Sequence, residues 1–479
     1  MNKLAVIGGS SVLLIGAAWA GTTFYAGQQI VQQLPAAVAK LGEGAPGSIK
    51  YVITKREMGF LTSHIDWELI VTPDPCQPEQ TMRITGYNVI HNGLFPSLGM
   101  GQIETHINWP ANVKQGFTKF FGDKEPLQIT TNVGLLGSYT THIKSPSANF
   151  KDNNGTFDWQ GMNVEFGQNK AGSKSTLSGV INGGSISVPS KQMDVKLDKI
   201  SFESEGSKGL AGFNLGISKL QAAGLSFNTA ADKSYGFKDL SLIADASEKD
   251  GFLGIKETLK VAQLIQDGKQ VGKVDAALSF NHIDAASLKN VLDLQKKMST
   301  ECKPSPEPLL TAAKPLFAKG MKIALDHLDL ELFEGKAHAD AVVNLPPLSD
   351  ADMQDMKQAL LKLEVDAKAN VSQSMMLQLV SKTMAPGQTL TDAQSAEMIN
   401  AMLEKPLAQG LLTKTADGYS TVFQMRQGQP LINGKSPAGA PMPMMGMGAG
   451  PSVAPGMTPE MAAQMQAGAT MPMPMPMKQ

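Results

Sequence analysis

The residue types that could carry chemistry are few and scattered. The seven histidines are His64, His91, His106, His142, His282, His327 and His338, and no two of them are three or four positions apart. That spacing is what lets one helix face hold a metal, as in HExxH. His64 and Glu68 are four apart, but on a strand both would point to the wet side. No nucleophile elbow, Walker loop or Cys-x-x-Cys occurs. Gly446-Met-Gly448-Ala-Gly450 is the nearest approach to a dinucleotide fingerprint. It follows no strand pattern and sits in a proline-rich tail, so it carries no phosphate-binding meaning. His91-Asn92-Gly93-Leu94-Phe95-Pro96 reads as a tight turn with Phe95 tucked into the core, rather than as a ligand site at His91. No catalytic residue, cofactor or metal ligand is expected, and the chain is read as a non-enzyme. A hydrolase with a dispersed site is the weaker reading.

The two cysteines, Cys76 and Cys302, are each flanked by prolines. A disulfide and two separate loop thiols are both compatible with the sequence, because reach depends on the fold. Lys+Arg is 42 and Asp+Glu is 43, for a net charge of −1. That balance argues against nucleic acid as a partner, since a binder needs a basic face to neutralise phosphates. An apolar fraction of 42% is enough for a sizeable core.

Leu4 to Gly27 is almost unbroken in small and apolar residues, including Val6, Ile7, Val12, Leu13, Leu14 and Ile15. It is long enough to cross a bilayer core. Trp19, Phe24 and Tyr25 would lie at the outer interface, where aromatic rings are favoured. Lys3 precedes the run and no Lys or Arg follows until Lys40, which directs the remainder of the chain outward. Ala18-Trp19-Ala20 also fits a signal-peptidase site. A retained anchor is the expectation, giving a single span in a bacterial inner membrane with the bulk of the chain in the periplasm.

The body divides by pattern. Residues 1–27 read as the anchor, 28–48 as a stalk helix and linker, 49–250 as a β-rich repeat region and 251–435 as a mixed helix and strand region. Residues 436–479 read as a disordered Met/Pro/Gly-rich tail, which holds 11 of the 27 methionines. Thioethers bind Cu(I), but no His or Cys accompanies them, so the tail is read as unconstrained. Ile65-Trp67-Leu69-Val71 alternates as a half-buried strand does. A pattern apolar-x-apolar-x-x-apolar-x-apolar begins at 195, 215 and 235. Its members are Val195, Leu197, Ile200 and Phe202; Leu215, Ile217 and Leu220; and Tyr235, Phe237, Leu240 and Leu242. Looser copies begin at Leu278 and Ile323. The doubled polar pair inside each copy, such as Asp198-Lys199, reads as a bulge that restores the apolar face. True repetition and a chance likeness among meander strands both account for it. Helical spacing is read at Leu253–Gln266, Ala286–Ser299, Pro308–Lys319, Ala351–Leu363, Ser372–Met384 and Asp392–Leu412. The fold class expected is therefore α+β. An amino-terminal transmembrane helix leads to an extended, mainly antiparallel body of repeated curved strands with a helix-rich carboxy-terminal half.

Trp19-Ala-Gly21 and Tyr25-Ala-Gly27, then Tyr51, Gly59-Phe60 and Ser63, then His91-x-Gly93-x-Phe95-Pro96, and finally Leu431-Ile-Asn433-Gly434-Lys435 occur in an order that resembles the YdgA-like family of bacterial envelope proteins. The resemblance covers residues 1 to 436. It implies an inner-membrane anchor and a periplasmic body, with no catalytic residues to carry over. Two functions follow as expectations. One is a membrane-anchored periplasmic binding or scaffold protein that associates with a second copy. The other is a lipid-binding or lipid-transfer protein, its repeated strands forming an apolar groove like that of AsmA-like proteins. The tail has no apolar periodicity and too much proline to pack. Removing residues 436–479 is expected to leave the melting temperature unchanged; a drop of several degrees in a thermal melt would show that the tail docks on the body.

Overall fold

In the computed structural model, residues 48–59, 62–74, 76–92, 99–134, 136–228, 233–298, 305–379 and 391–436 are described. Alternating sequence gives alternating burial. The strands β1 (Ser48–Glu57), β2 (Thr62–Thr72), β3 (Met82–Asn92) and β4 (Gly99–Asn108) lead through helix α1 (Ala111–Phe121) to β5 (Gln128–Gly134). Next come β6 (Tyr139–Ser145), β7 (Ala148–Asp152), β8 (Gly155–Trp159), β9 (Met162–Gln168), β10 (Lys174–Ile181), β11 (Gly184–Val188), β12 (Met193–Leu197) and β13 (Ile200–Lys208). Four long strands follow: β14 (Asn214–Asn228), β15 (Ser234–Lys249), β16 (Phe252–Gln266) and β17 (Lys269–Asp284). Helices α2 (Ala285–Met298) and α3 (Glu307–Ala318) precede β18 (Met321–Leu332) and β19 (Gly335–Leu345). Helices α4 (Asp350–Gln354) and α5 (Met356–Lys362) precede β20 (Glu364–Ser372), and α6 (Gln373–Leu379) and α7 (Asp392–Ala408) precede β21 (Thr413–Lys414), β22 (Gly418–Arg426) and β23 (Gln429–Ile432).

Among the described residues all the strands join one 23-stranded sheet, and each pairing is antiparallel between near neighbours in sequence. The extensive strand–strand contacts all lie between sheet neighbours, so no second sheet layer faces the first among the described residues. The borders formed by the first and last strands are blunted; β7, which among the described residues pairs only with β8, is a further border and packs against α1. Among the described residues β1 pairs only with β2, carries Lys50, Lys55 and Arg56, and shifts register between Ile53 and Lys55. β23 has four residues and contains Pro430. Charge, a bulge, a short strand and proline all discourage pairing with another chain's edge.

The expected α+β division is corrected. Strand accounts for 59% and helix for 21% of the described residues, and the carboxy-terminal half is not helix-rich. Leu253–Gln266, read as a helix, is strand β16. Its Leu253, Ile255, Leu259 and Val261 alternate, and hydrogen-bonding ladders to β15 and β17 on both sides override the helical spacing that Val261, Leu264 and Ile265 also satisfy. The helix expected at Ala351–Leu363 breaks at Asp355, whose extended backbone ends α4 and whose carboxylate caps α5. Thr391 caps α7 in a reciprocal box with Gln394. The single membrane span and the inner-membrane localisation drawn from it are also corrected: among the described residues, no helix is long and apolar enough to cross a membrane. Leu4 to Gly27, with Trp19, Phe24 and Tyr25, lies outside those residues, as do the stalk and the methionine-rich tail.

One end of the sheet is a closed core. Ile65, Trp67, Leu69 and Val71 on β2 cluster with Tyr51, Ile90, Ile103 and Val133. Two glycines make room for rings in facing strands. A Cβ on Gly86 would lie 2.3 Å from the Trp67 ring, and one on Gly179 would lie 2.4 Å from the Phe202 ring. Leu69 is 1% exposed, whereas Leu242 in the middle of the sheet is 39% exposed. Leu69→Ala should therefore cost about 2–5 kcal/mol by opening a cavity. Leu242→Ala should cost about 1 kcal/mol or less, because an open surface leaves no cavity. Equilibrium urea unfolding of the two variants measures the contrast.

Candidate functional site

The repeat resolves into cross-strand rows. Val195 faces Phe227, which faces Tyr235, and Leu197 faces Leu225, which faces Phe237. Ile200, Ala222 and Leu240 form a third row, and Phe202, Leu220 and Leu242 a fourth. The copies at 195 and 235 thus lie parallel, in register, two strands apart. Between them β14 supplies Phe227, Leu225, Ala222 and Leu220 in reverse order. The copy read at 215 is not an equivalent unit. Leu215 and Ile217 face Ser207 and Glu205, on the side away from Leu220. The pair Ser218-Lys219 makes no bulge, because β13 and β14 run in unbroken register there.

The other polar pairs do mark irregularities, and they line up as a crease. Gln160-Gly161 separates β8 from β9, Asn182-Gly183 separates β10 from β11, and Asp198-Lys199 separates β12 from β13. The register of β14 and β15 passes over Ala223 and Asp239. The main chain bridges the crease from strand to strand. Gln160 N donates to Gly183 O at 3.0 Å, and Asn182 N to Gly161 O at 3.0 Å. Asp198 N donates to Gly224 O at 2.9 Å, and Ala223 N to Lys199 O at 2.8 Å. In the copy at Ile323, Asp326-His327 lies opposite the single residue Asp340, a bulge of two against one.

The third and fourth rows run on far beyond the repeat. Leu240 faces Val261, then Val274, Leu330 and Ala337, and the row ends at Val371 and Tyr419. Leu242 faces Leu259, then Ala276, Leu328, Ala339 and Ala369. In the other direction Phe202 faces Gly179, then Val164, Ile143 and Ile129, and the row runs on through Thr105 and Asn88 to Ile65. One apolar stripe therefore crosses most of the sheet. Sequence reasoning missed Leu259, Val261, Val274 and the alanines of β19 and β20; period-two alternation was the signal that could have found them.

Exposure varies along the stripe. Ile129, Ile143 and Val164 are buried, with Phe202 packed against them. Beyond them Leu242, Leu259 and Phe227 stand 36–41% exposed. The helices pack mainly on β7, β17, β19, β20 and β22, leaving β13 to β16 outside their cover. Beyond the crease, Met193, Val195, Leu225 and Phe227 line a hollow of about 510 Å³ together with Lys191, Gln192 and Asn228. Phe227 stacks on Tyr235 with ring centroids 5.5 Å apart.

The opposite face is a ladder of charge. Lys219 pairs with Glu203 at 2.7 Å, Lys260 with Asp275 at 2.9 Å and Lys273 with Glu331 at 3.2 Å. His327 meets Asp275 at 3.1 Å and His338 meets Asp329 at 2.7 Å. Such exposed pairs are each worth little; they identify the wet side. His64, Tyr87 and His106 stack on the same polar side at the closed end, and His106 reaches Glu125 at 2.9 Å. Among the described residues no group of His, Cys, Asp and Glu could hold a metal. Burial pushes the Tyr51 phenol above its ordinary range, opposed by the Asn88 amide. Cys76 is disulfide-bonded; Cys302, the chain's other cysteine, lies outside the described residues, as do Gly93 to Pro96.

The model of a bacterial family of proteins of unknown function, DUF945, matches residues 1–437. The chain belongs to DUF945. No curated protein and no solved structure matches it. In this DUF945 chain the charged ladder carries a pH dependence. The Asp329 carboxylate that His338 hydrogen-bonds raises the imidazole's pKa, with Asp340 adding to it and desolvation opposing. A raised folded-state pKa stabilises fully below the unfolded value of about 6.5, and the contribution is lost as pH rises through the folded value. Thermal melts across that window should show the parent losing more stability toward alkaline pH than His338→Gln. Parallel curves would dismiss the coupling.

Proposed function

We propose that this chain acts by binding rather than by catalysis, and that what it binds is an elongated amphiphile of the lipid class laid across the open stretch of the stripe. The observation that carries this reading is the contrast between neighbours on β15. Leu242 and Ile243 are about equally exposed, at 39% and 37%. Leu242 continues an apolar row on both sides, whereas Ile243 faces Lys219 and Thr258 on the charged side. A contiguous apolar face of this kind marks a binding surface in a soluble setting. Its width across several rows suits a flexible hydrocarbon chain better than a compact ring.

The motif order from Tyr51 to Lys435 supports placing the chain with the YdgA-like members of DUF945. A scaffold that joins two copies through their sheet edges is less favoured, because β1 is charged and bulged and β23 is short and holds a proline.

Titration of the delipidated full chain with a fluorescent polyunsaturated fatty acid tests the proposal. Leu242→Asp and Leu259→Asp should weaken binding about tenfold or more, since a carboxylate on the apolar row must be desolvated. Ile243→Asp, one residue away on the other face, should leave binding unchanged. No saturable binding by the parent chain, or equal loss in all three variants, would overturn the reading.

A further inference from the structure

The closed end of the sheet contains two buried hydroxyls that make no hydrogen bond of full geometry. Tyr51 is 7% exposed and Thr105 is 4% exposed. The Asn88 amide nonetheless lies near enough to Tyr51 to oppose the rise in its pKa. Both belong to one polar knot around Asn88, itself 1% exposed. Thr105 faces Asn88 directly across β3 and β4. Trp67 Nε1 donates to Asn88 Oδ1 at 3.3 Å. Tyr51 stacks on Trp67 with centroids 5.8 Å apart and planes inclined by 26°. The stacked rings bring the polar tips of Tyr51 and Trp67 to the same side amide. Ile65, Leu69, Ile90 and Ile103 pack in the same cluster, and the buried polar side chains of Ser63 and Thr131 lie across from Ile90 and Ile103.

Leaving a buried hydroxyl unpaired costs more than an ordinary hydrogen bond returns, so a native core that keeps two at one place implies a partner for them. We propose that Tyr51, Asn88 and Thr105 form an internal site for a single water molecule. The site asks for a small neutral group able both to donate and to accept. Oδ1 of Asn88 accepts from Trp67, which leaves the amide NH₂, beside Tyr51, as the donor. Each hydroxyl can donate or accept as required. Water satisfies all three partners with the two to four bonds that buried waters usually make. Among the described residues the buried charged side chains are Asp284 and Asp352, neither of them on β1 to β4, so an ion has no buried counter-charge there. The site is independent of whether the open stripe holds a lipid.

Two measurements on the full chain test it together. A crystal structure that resolves ordered water should show one isolated peak within hydrogen-bond distance of both Tyr51 Oη and Thr105 Oγ1, and the peak should be missing in Thr105→Val. In equilibrium unfolding, Tyr51→Phe and Thr105→Val should each lower the folding constant about 5–30-fold. Thr105→Ser, which keeps the hydroxyl, should retain the peak and separates loss of the water from loss of the methyl group. If the hydroxyls are instead unpaired, removing them relieves a cost. Variants as stable as the parent or more so would overturn the proposal, as would the absence of the peak. Density that continues from the peak into a longer molecule would overturn it too, by making this the seat of a ligand's head group.

Discussion

A strand turns successive side chains to opposite faces, and this period of two governs everything else in the molecule. Antiparallel pairing places facing residues on the same side, so the alternation is handed from strand to strand without loss. Ile143, Val164, Phe202, Leu220 and Leu242 lie in one line for that reason. The charged partners Glu203, Lys219, Lys260 and Asp275 lie behind that line for the same reason. Where alternation fails, a kink or a bulge restores it, and the crease through Gly161, Gly183 and Asp239 is the visible trace. These three residues have φ of 90°, 117° and 51°, the left-handed conformation that turns a strand without continuing its pleat.

The two ends of the stripe differ in what covers it. Around Ile65, Trp67 and Ile103 the apolar side chains meet one another and exclude water, and the two glycines under Trp67 and Phe202 let aromatic rings lie flat against the sheet. Between β13 and β16 the same pattern continues with less over it among the described residues: Ala222 and Val261 are buried, whereas Leu242, Leu259 and Phe227 are not. A core of this kind needs depth as well as pattern. The middle strands have the pattern alone, so the same type of residue stabilises the fold at Leu69 and remains available to a ligand at Leu242.

Much of this was legible in the chain. Strong alternation at Ile65 to Val71 fixed a strand, and the doubled polar pairs at Asp198-Lys199 and Asp326-His327 fixed irregularities where they occur. The spacing of the repeat misled at Leu215, because an antiparallel meander repeats in alternating directions and a forward-reading pattern captures only every second strand. The true partner of Val195 is Phe227, which belongs to no forward copy. Leu253–Gln266 satisfied both a helical and an alternating template, and only ladders on both sides decide between them. The buried knot at Asn88 left no local signal. Its members come from four strands, and nothing in any one of those segments distinguishes Thr105 from the half-buried Thr130 and Thr140 on the other face of β5 and β6.

Because pairing runs between near neighbours in the chain, the sheet is close to one-dimensional in its energetics, like a stack of repeats. Most strands add to the one made before them, and the exceptions reach back only two or three strands, as β9 does to β6 and β13 to β10, so structure can grow roughly in the order of synthesis with small loop-closure costs. The growing border is always an unpaired edge until β23 caps it with Pro430. A chain truncated in the middle would therefore fold in part and aggregate through its last strand. A chain lengthened by a whole hairpin would keep its faces in phase and extend the apolar stripe by roughly 10 Å, two strand spacings.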